Sequence, residues 1–374
     1  MKILNLFLAT AILSLSVISY SDSNEILVGE VGSLTGNEAT FGTSTHNGID
    51  LAFREVNKKG GVNGRMLKLL TLDDQGKPEE AALAVKKLIT QTKVTAVLGE
   101  VASSRSLAMA PIAQRYKVTM LSPSSTNPKV TQLGDYIFRV CFIDPFQGHV
   151  MAKFALDTLK AKKVAILRDV KNDYSVGLAN FFTDTFKKNG GTVLVDQSYS
   201  AGDIDFKSQL TAIRAKNPEA IFIPGYYTEV GLIARQAREL GIKVPLLGGD
   251  GWDSPKLKEI GGSAIENSYF SNHYSEEDKS PQVVEFIKNY KEVYGSVPDG
   301  LAAMGYDAAK VLTLAMTRAK SLNGPDLRDS LAMTKDFAGV TGKITLDKSR
   351  NAVKSAVILK ITNDGFKYQT TIHP

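Results

Sequence analysis

From residue 25 onward, short apolar runs of β character alternate with segments whose apolar positions recur at helical spacing. "EILVGEVGSL" (25–34) is followed by "STHNGIDLAFREVNKKGG" (44–61), where Ile49, Phe53 and Val56 share one helical face and Gly60 and Gly61 close the segment. "RMLKLLTLDD", the helical "PEEAALAVKKLITQ", the run "VTAVLGE" and a helix from about Ser104 to Tyr116, kinked or restarted at Pro111, extend the series. A repeated βαβα order predicts a parallel sheet covered by helices.

A second series begins after "CFIDPFQG" (141–148). It runs through a helix at 147–160, "KVAILRD", a helix at 174–189, "GTVLVDQSYS", a helix at 205–216, "EAIFIPGYY", a helix at 228–241 and "VPLLGGDG". The remaining residues carry helical patterns at 281–294 and 300–320 and β-type runs at "GVTGKITLD" and "KSAVILKIT". They are too few and too irregular for a third domain, so they complete the first two, with passages between lobes near 143, 272 and 346. The expected fold is α/β: two Rossmann-like, doubly wound parallel-sheet lobes joined by a three-segment hinge. Lobe one takes residues 22–143 and 273–345, and lobe two takes 144–272 and 346–374.

A length of 374 residues suits two compact units with sizeable cores. The formal charge of +6 is spread along the chain, its densest knot being "LKAKKV" (159–164), and no basic stripe is interleaved with aromatics. That excludes a nucleic-acid partner from the expectation. Residues 1–21 place one lysine ahead of an apolar run that ends on small residues, which reads as a cleaved signal peptide and predicts export to the periplasm. The only cysteine, Cys141, lies too far inside to be a lipid-anchored N-terminus, has no disulfide partner, and is expected in the core.

Chemistry concentrates at the strand ends. "VTAVLGEVASSRS" (94–106) stops on Glu100, Ser103 and Ser104, and "VTMLSPSSTNP" (118–128) stops on Ser122, Ser124, Ser125 and Thr126. Ligands of parallel α/β sheets bind beyond the carboxyl ends of the strands, where helix N-termini favour an anion. Two adjacent strand ends bearing hydroxyls therefore point to a shared anion site, with helix capping the plainer use of each. The second lobe delivers Tyr174, Tyr226, Asp250 between two glycines, and Trp252. Two aromatics and a carboxylate facing two hydroxyl clusters suit a small zwitterion with an apolar tail.

Over nearly its whole length after the signal, the chain resembles the leucine/isoleucine/valine-type periplasmic substrate-binding proteins of ABC importers. The resemblance rests on "VGSLTGNEATFG" (31–42), "GIDLAFREVNKKGGVNGR" (48–65), "DDQGKPEEA" (73–81), "ASSRS" (102–106), "SPSSTNP" (122–128), "DYSVG" (173–177) and "GGDGWDS" (248–254), in that order. It implies a type I periplasmic binding protein, a hinged monomer without catalysis or cofactor that delivers an amino acid to an inner-membrane permease. It also implies roles: Ser103 and Thr126 on the ligand carboxylate, the Ser124 carbonyl and the Thr126 hydroxyl on its ammonium, Tyr174 and Tyr226 as closers from lobe two, and Phe41, Val101 and Leu301 around its side chain. Asp250 stands where the branched-chain proteins carry a glutamate, and a cysteine pair of many relatives is replaced near Gly76 and Ala102.

Two other readings share the cleft. A hydrolase using Asp250 as base lacks a Gly-x-Ser-x-Gly elbow, paired metal ligands or a histidine-centred triad, since His46, His149, His273 and His373 stand alone in sequence. A ligand-sensing subunit for a related small amide or carboxylate would have the same fold.

Overall fold

The computed structural model describes residues 24–374, so the expected signal peptide, residues 1–21, lies outside the described residues. The first sheet contains β1 (Glu25–Gly32), β2 (Met66–Asp73), β3 (Ala96–Leu98), β4 (Thr119–Ser122) and β5 (Ile137–Arg139). All are parallel, in the order β2-β1-β3-β4-β5. The short inner strands β3 and β4 are buried along their whole length, as unbroken apolar runs must be when helices cover both sheet faces.

The second sheet repeats this winding. Strands β6 (Lys163–Asp169), β7 (Thr192–Tyr199), β8 (Ala220–Phe222), β9 (Leu246–Gly248) and β10 (Tyr269–Asn272) are parallel in the order β7-β6-β8-β9-β10. The chain then returns to lobe one as the helices Pro281–Tyr294, Gly300–Arg318 and Gly324–Ala332 and a small antiparallel sheet, β11 (Phe337–Gly339), β12 (Gly342–Leu346) and β13 (Ala352–Val353). Strands β14 (Ala356–Thr362) and β15 (Gly365–Ile372) finally add to the β10 edge of the second sheet, both antiparallel.

The third passage between lobes therefore falls between Val353 and Ala356, later than the 346 read from the sequence. The reason is that 347–351 is a pinned turn: the Arg350 guanidinium donates to the carbonyls of Thr131 (2.8 Å) and Ile137 (3.1 Å), and Leu346 and Ala352 pack in the lobe-one core. The long helices Ala39–Lys58 and Gly300–Arg318 cross over that core, which includes Ile49, Phe53, Met304 and Leu312. They approach so closely that a Cβ on Gly48 would lie 1.9 Å from the Ala302 carbonyl oxygen, and one on Gly305 would lie 2.4 Å from that of Thr45. In both sheets the strand order reverses beside the first strand, between β1 and β3 and between β6 and β8. Those two reversals are where open parallel sheets leave a crevice for a ligand.

Candidate functional site in the interlobe cleft

Loops from the carboxyl ends of both sheets meet around a cavity of about 240 Å³. Lobe one contributes Phe41, Val101, Ser103, Ser124 and Leu301, and lobe two contributes Tyr174, Tyr226, Asp250 and Gly251. Eight of the ten residues expected from sequence thus line one cavity. Its walls are largely apolar: Tyr174 and Tyr226 stack at 5.4 Å between ring centroids, and Phe41 meets Tyr226 edge-on at 5.2 Å and Tyr227 at 5.1 Å, so two aromatic contacts cross between lobes.

At the lobe-one end, the helix Ser103–Tyr116 begins without a side-chain cap on its first turn, which leaves amide donors at the cavity wall. Ser103 Oγ already accepts from the Asn127 amide (3.1 Å), and its proton remains free to donate. Thr126 is buried behind the lining residues, with its side-chain hydroxyl beside the Asp144 carboxyl. The other clustered hydroxyls are spent on the loops themselves. Ser122 donates to the Glu100 carbonyl (2.7 Å), and Ser125 reaches the Glu100 and Val101 carbonyls and Ser106 (2.9, 2.9 and 2.7 Å), which ties the β3 and β4 ends together.

At the lobe-two end, Asp250 is 5 % exposed and gathers three side-chain donors. Gln147 Nε2 donates to Oδ1 (2.8 Å), while Ser124 Oγ (3.4 Å) and His273 Nε2 (3.1 Å) reach Oδ2. Burial pushes the His273 imidazole down to about 4 against the pull of Asp250, so the ring is neutral at physiological pH and donates through Nε2. The glycines on either side of Asp250 do not serve a left-handed turn. They make room: a Cβ on Gly249 would lie 2.4 Å from the Tyr174 hydroxyl, and one on Gly251 would lie 2.7 Å from the Tyr226 ring. Helix capping is not the task of Asp250 either, since Ser254 caps the next helix at the Lys256 amide (3.1 Å) and Asp253 accepts from the Gly300 amide (2.7 Å).

Trp252 corrects the sequence reading. Its indole is fully buried, donates to the Ile223 carbonyl (3.0 Å) and packs near Phe270, turned into the lobe-two core and away from the cavity. Gln147 and His273 were missed. Gln147 enters from the helix Asp144–Lys153 and His273 directly follows β10, and the only available signal was their place beside the boundaries at 143 and 272. Cys141 is buried, and desolvation pushes its thiol up to about 12, so it is no nucleophile at neutral pH.

The order of contacts also argues against acyl transfer. Ser124 and His273 both bond to Asp250, so the carboxylate stands between them and the imidazole does not touch the serine hydroxyl as it would in a histidine-centred triad. No group of metal-ligating side chains occurs among the described residues. What the arrangement does is enclose: Thr40 Oγ1 meets Ser254 Oγ (2.9 Å), Thr228 Oγ1 donates to the Asn37 carbonyl (2.7 Å), the Asp173 amide donates to Ser104 Oγ (3.0 Å) and Asn127 Nδ2 donates to the Asp173 carbonyl (2.9 Å). These bonds close lobe two onto lobe one around the cavity.

Comparison with known proteins agrees with this architecture. The leucine-specific-binding protein of Salmonella typhimurium is 31 % identical over 314 residues, covering 83 % of this chain and 84 % of that protein. Among solved structures, the leucine-binding protein LivK of Thermotoga maritima superposes with a TM-score of 0.90 at 43 % identity, covering 93 % of this chain and 99 % of that one. LivJ of Streptococcus pneumoniae, a branched-chain amino acid transporter substrate-binding protein solved in complex with isoleucine, gives 0.89 at 34 % identity, covering 94 % and 100 %. A sequence profile for periplasmic binding proteins matches residues 25–365, and the chain belongs to that family.

Proposed function

We propose that the chain is the extracytoplasmic solute-binding component of an ABC importer, closing on an apolar aliphatic amino acid and presenting it to a membrane permease. The observation that carries this reading is the polarity of the cavity. Unspent donors, the Ser103 hydroxyl and the first-turn amides, lie at one end, and the Asp250 carboxylate lies at the other. Phe41, Val101, Tyr226 and Leu301 form apolar walls between them. An α-carboxylate matches the first end, an α-ammonium the second, and a short hydrocarbon side chain the walls. The leucine- and isoleucine-binding relatives support the same ligand class.

Export follows the same reading: the segment 1–21 is a signal peptide, and no described helix is long and apolar enough to cross a membrane. The test is mass spectrometry of the small molecule that copurifies with the protein, followed by calorimetric titration of free amino acids into unfolded-and-refolded, ligand-free protein. Leucine, isoleucine or valine should bind with saturation, and a ligand at 100 times its dissociation constant adds about 2.7 kcal/mol of stability, readable as a thermal shift. Saturable binding confined to molecules without an amine would overturn the amino-acid assignment.

A further inference from the structure

A second, larger cleft of about 810 Å³ opens to solvent where the start of the helix Gly300–Arg318 meets the β14–β15 hairpin, and it shares no lining residue with the interlobe cavity. Three carboxylates line it: Asp253 from lobe two, Asp299 from lobe one, and Glu276 from the segment joining them. Its one lysine, Lys258, is engaged on the Asn363 carbonyl. No ion pair among the described residues involves any of the three carboxylates.

Asp253 and Asp299 converge on one peptide. Asp253 Oδ2 accepts from the Gly300 amide (2.7 Å), and Asp299, the residue before it, accepts from the Ala302 amide (2.8 Å) and from Ser44 Oγ (2.6 Å). Burial pushes both carboxyls up, Asp253 to about 8 with the Asp299 charge adding to the effect. A buried acid and a partly buried one, electrostatically coupled and without a counter-ion, leave a place where a cation would fit.

An independent observation points to an occupant. Tyr274 forms part of the wall, is 4 % exposed, and its buried hydroxyl has no hydrogen-bond partner. Burial and then the charges of Glu276, Asp253 and Asp299, which line the same cleft, raise its pKa. The rest of the wall is carbon, from Val297, Pro298, Leu359 and Phe366.

We propose that this cleft is a second ligand site, for a small organic cation that carries an ammonium group on a short apolar body. The ammonium meets Asp253, Asp299 and the Tyr274 hydroxyl, and the hydrocarbon lies along Pro298 and Phe366. Because Asp253 and Phe366 belong to lobe two and Pro298 and Asp299 to lobe one, an occupant bridges the lobes and favours their closed arrangement. By linkage it raises the affinity of the interlobe cavity for its own ligand, a consequence that rests on the amino-acid reading, whereas the cation site itself does not.

The test is calorimetric titration of n-butylammonium chloride into the protein at low ionic strength, against sodium chloride as control, with and without saturating leucine. Saturable binding of butylammonium and not of sodium is expected. Asp253→Asn removes a charge-assisted bond and should weaken it about tenfold or more, and Tyr274→Phe removes a neutral one and should weaken it about twofold to tenfold. Thermal unfolding of each variant without cation checks that the fold is kept. No saturable binding beyond the sodium control in either condition, or binding unchanged in both variants, overturns the proposal. Failure of leucine to bind leaves the leucine-free titration intact, so the two readings fail separately.

Discussion

Asp250 and His273 are joined across the second passage between the lobes, Nε2 lying 3.1 Å from Oδ2, with the imidazole held neutral by burial. The histidine therefore donates a hydrogen bond without cancelling the carboxylate's charge, and Gln147 and Ser124 do the same. Asp250 is thus held by three neutral donors and by no cationic side chain, which leaves room for a cationic ligand group. Asp250→Asn keeps the shape and deletes the charge. Removing one partner of a buried ion pair costs about 3 to 5 kcal/mol, so amino-acid affinity should fall by two to three orders of magnitude by calorimetry. Because Ser254 already caps the following helix, the ligand-free thermal midpoint should move little.

Ser103 and Thr126 are expected to hold the ligand carboxylate, one from the cavity wall and one from just behind it. Ser103 still has its proton to give, and the buried Thr126 hydroxyl lies beside the Asp144 carboxyl, from which a ligand carboxylate would draw it. Hydrogen bonds to charged groups contribute about 1.5 to 3 kcal/mol each, so Ser103→Ala and Thr126→Ala should each weaken binding about tenfold or more. Calorimetry on both variants checks this, and unchanged affinity in both removes the carboxylate from that end of the cavity.

Closure is separable from ligand contact at Thr40, whose hydroxyl meets Ser254 across the lobes at 2.9 Å while the residue itself stays outside the cavity lining. Thr40→Val deletes a bond that exists only when the lobes are together. A neutral hydrogen bond contributes about 0.5 to 1.5 kcal/mol net, so the amino acid should dissociate about twofold to tenfold faster, with association little changed. Stopped-flow measurement of both rates tests it. A loss confined to association would place Thr40 in the encounter step instead.

The helix crossing makes a sharper demand. With a Cβ on Gly48 placed 1.9 Å from the Ala302 carbonyl oxygen, Gly48→Ala must push apart the helices Ala39–Lys58 and Gly300–Arg318. Overpacking of this kind costs about 1 to 3 kcal/mol or more. Chemical denaturation should show the loss as a lower midpoint.

Much of this was legible because parallel α/β winding dictates where side chains go. Once the βαβα order is read, Phe41, Val101, Ser103 and Ser124 must follow strands of one lobe, and Tyr174, Tyr226 and Asp250 strands of the other, and all of them line the cavity. Direction within a turn was not legible. Trp252 lies two residues from Asp250 on the same short 3₁₀ turn, and the turn aims one into the cleft and the other into the core. Nor could clustered serines be sorted, because Ser122 and Ser125 serve backbone carbonyls that become neighbours only when β3 and β4 pair. Gln147 and His273 reach Asp250 over 103 and 23 positions of chain, from segments whose placement depends on how the lobes dock. Between the loops that carry Gly76 and Ala102, the buried Arg105 pairs with Glu100 (3.0 Å) and donates to the Gly76 carbonyl (3.3 Å), a link that no residue spacing announces.

Asp144, fully buried at the start of the helix Asp144–Lys153 beside the Thr126 hydroxyl, makes stability depend on pH. Burial, with a smaller push from the Asp250 charge, raises its carboxyl from 3.8 to about 8. The native protein thus holds a proton that the unfolded chain releases near 3.8. The stabilisation from Asp144 is complete below that value and is lost as pH rises through about 8. His273 acts in the opposite sense, since its imidazole is lowered from 6.5 to about 4 and its contribution is lost as pH falls between those values. The interval from pH 6.5 to 8 is therefore free of His273. Asp74 and Asp253, raised to about 7 and about 8, and His46, also raised, act there in the same direction as Asp144. Lys354, lowered to about 8, opposes them only above that pH. Wild-type stability should fall across the interval. Asp144→Asn, isosteric with the neutral acid, should remove one proton's share of the slope, at most about 1.4 kcal/mol per pH unit. Denaturant melts of both proteins at pH 6.5, 7.25 and 8 measure the difference directly, and parallel curves would mean that Asp144 is ionised in the native state.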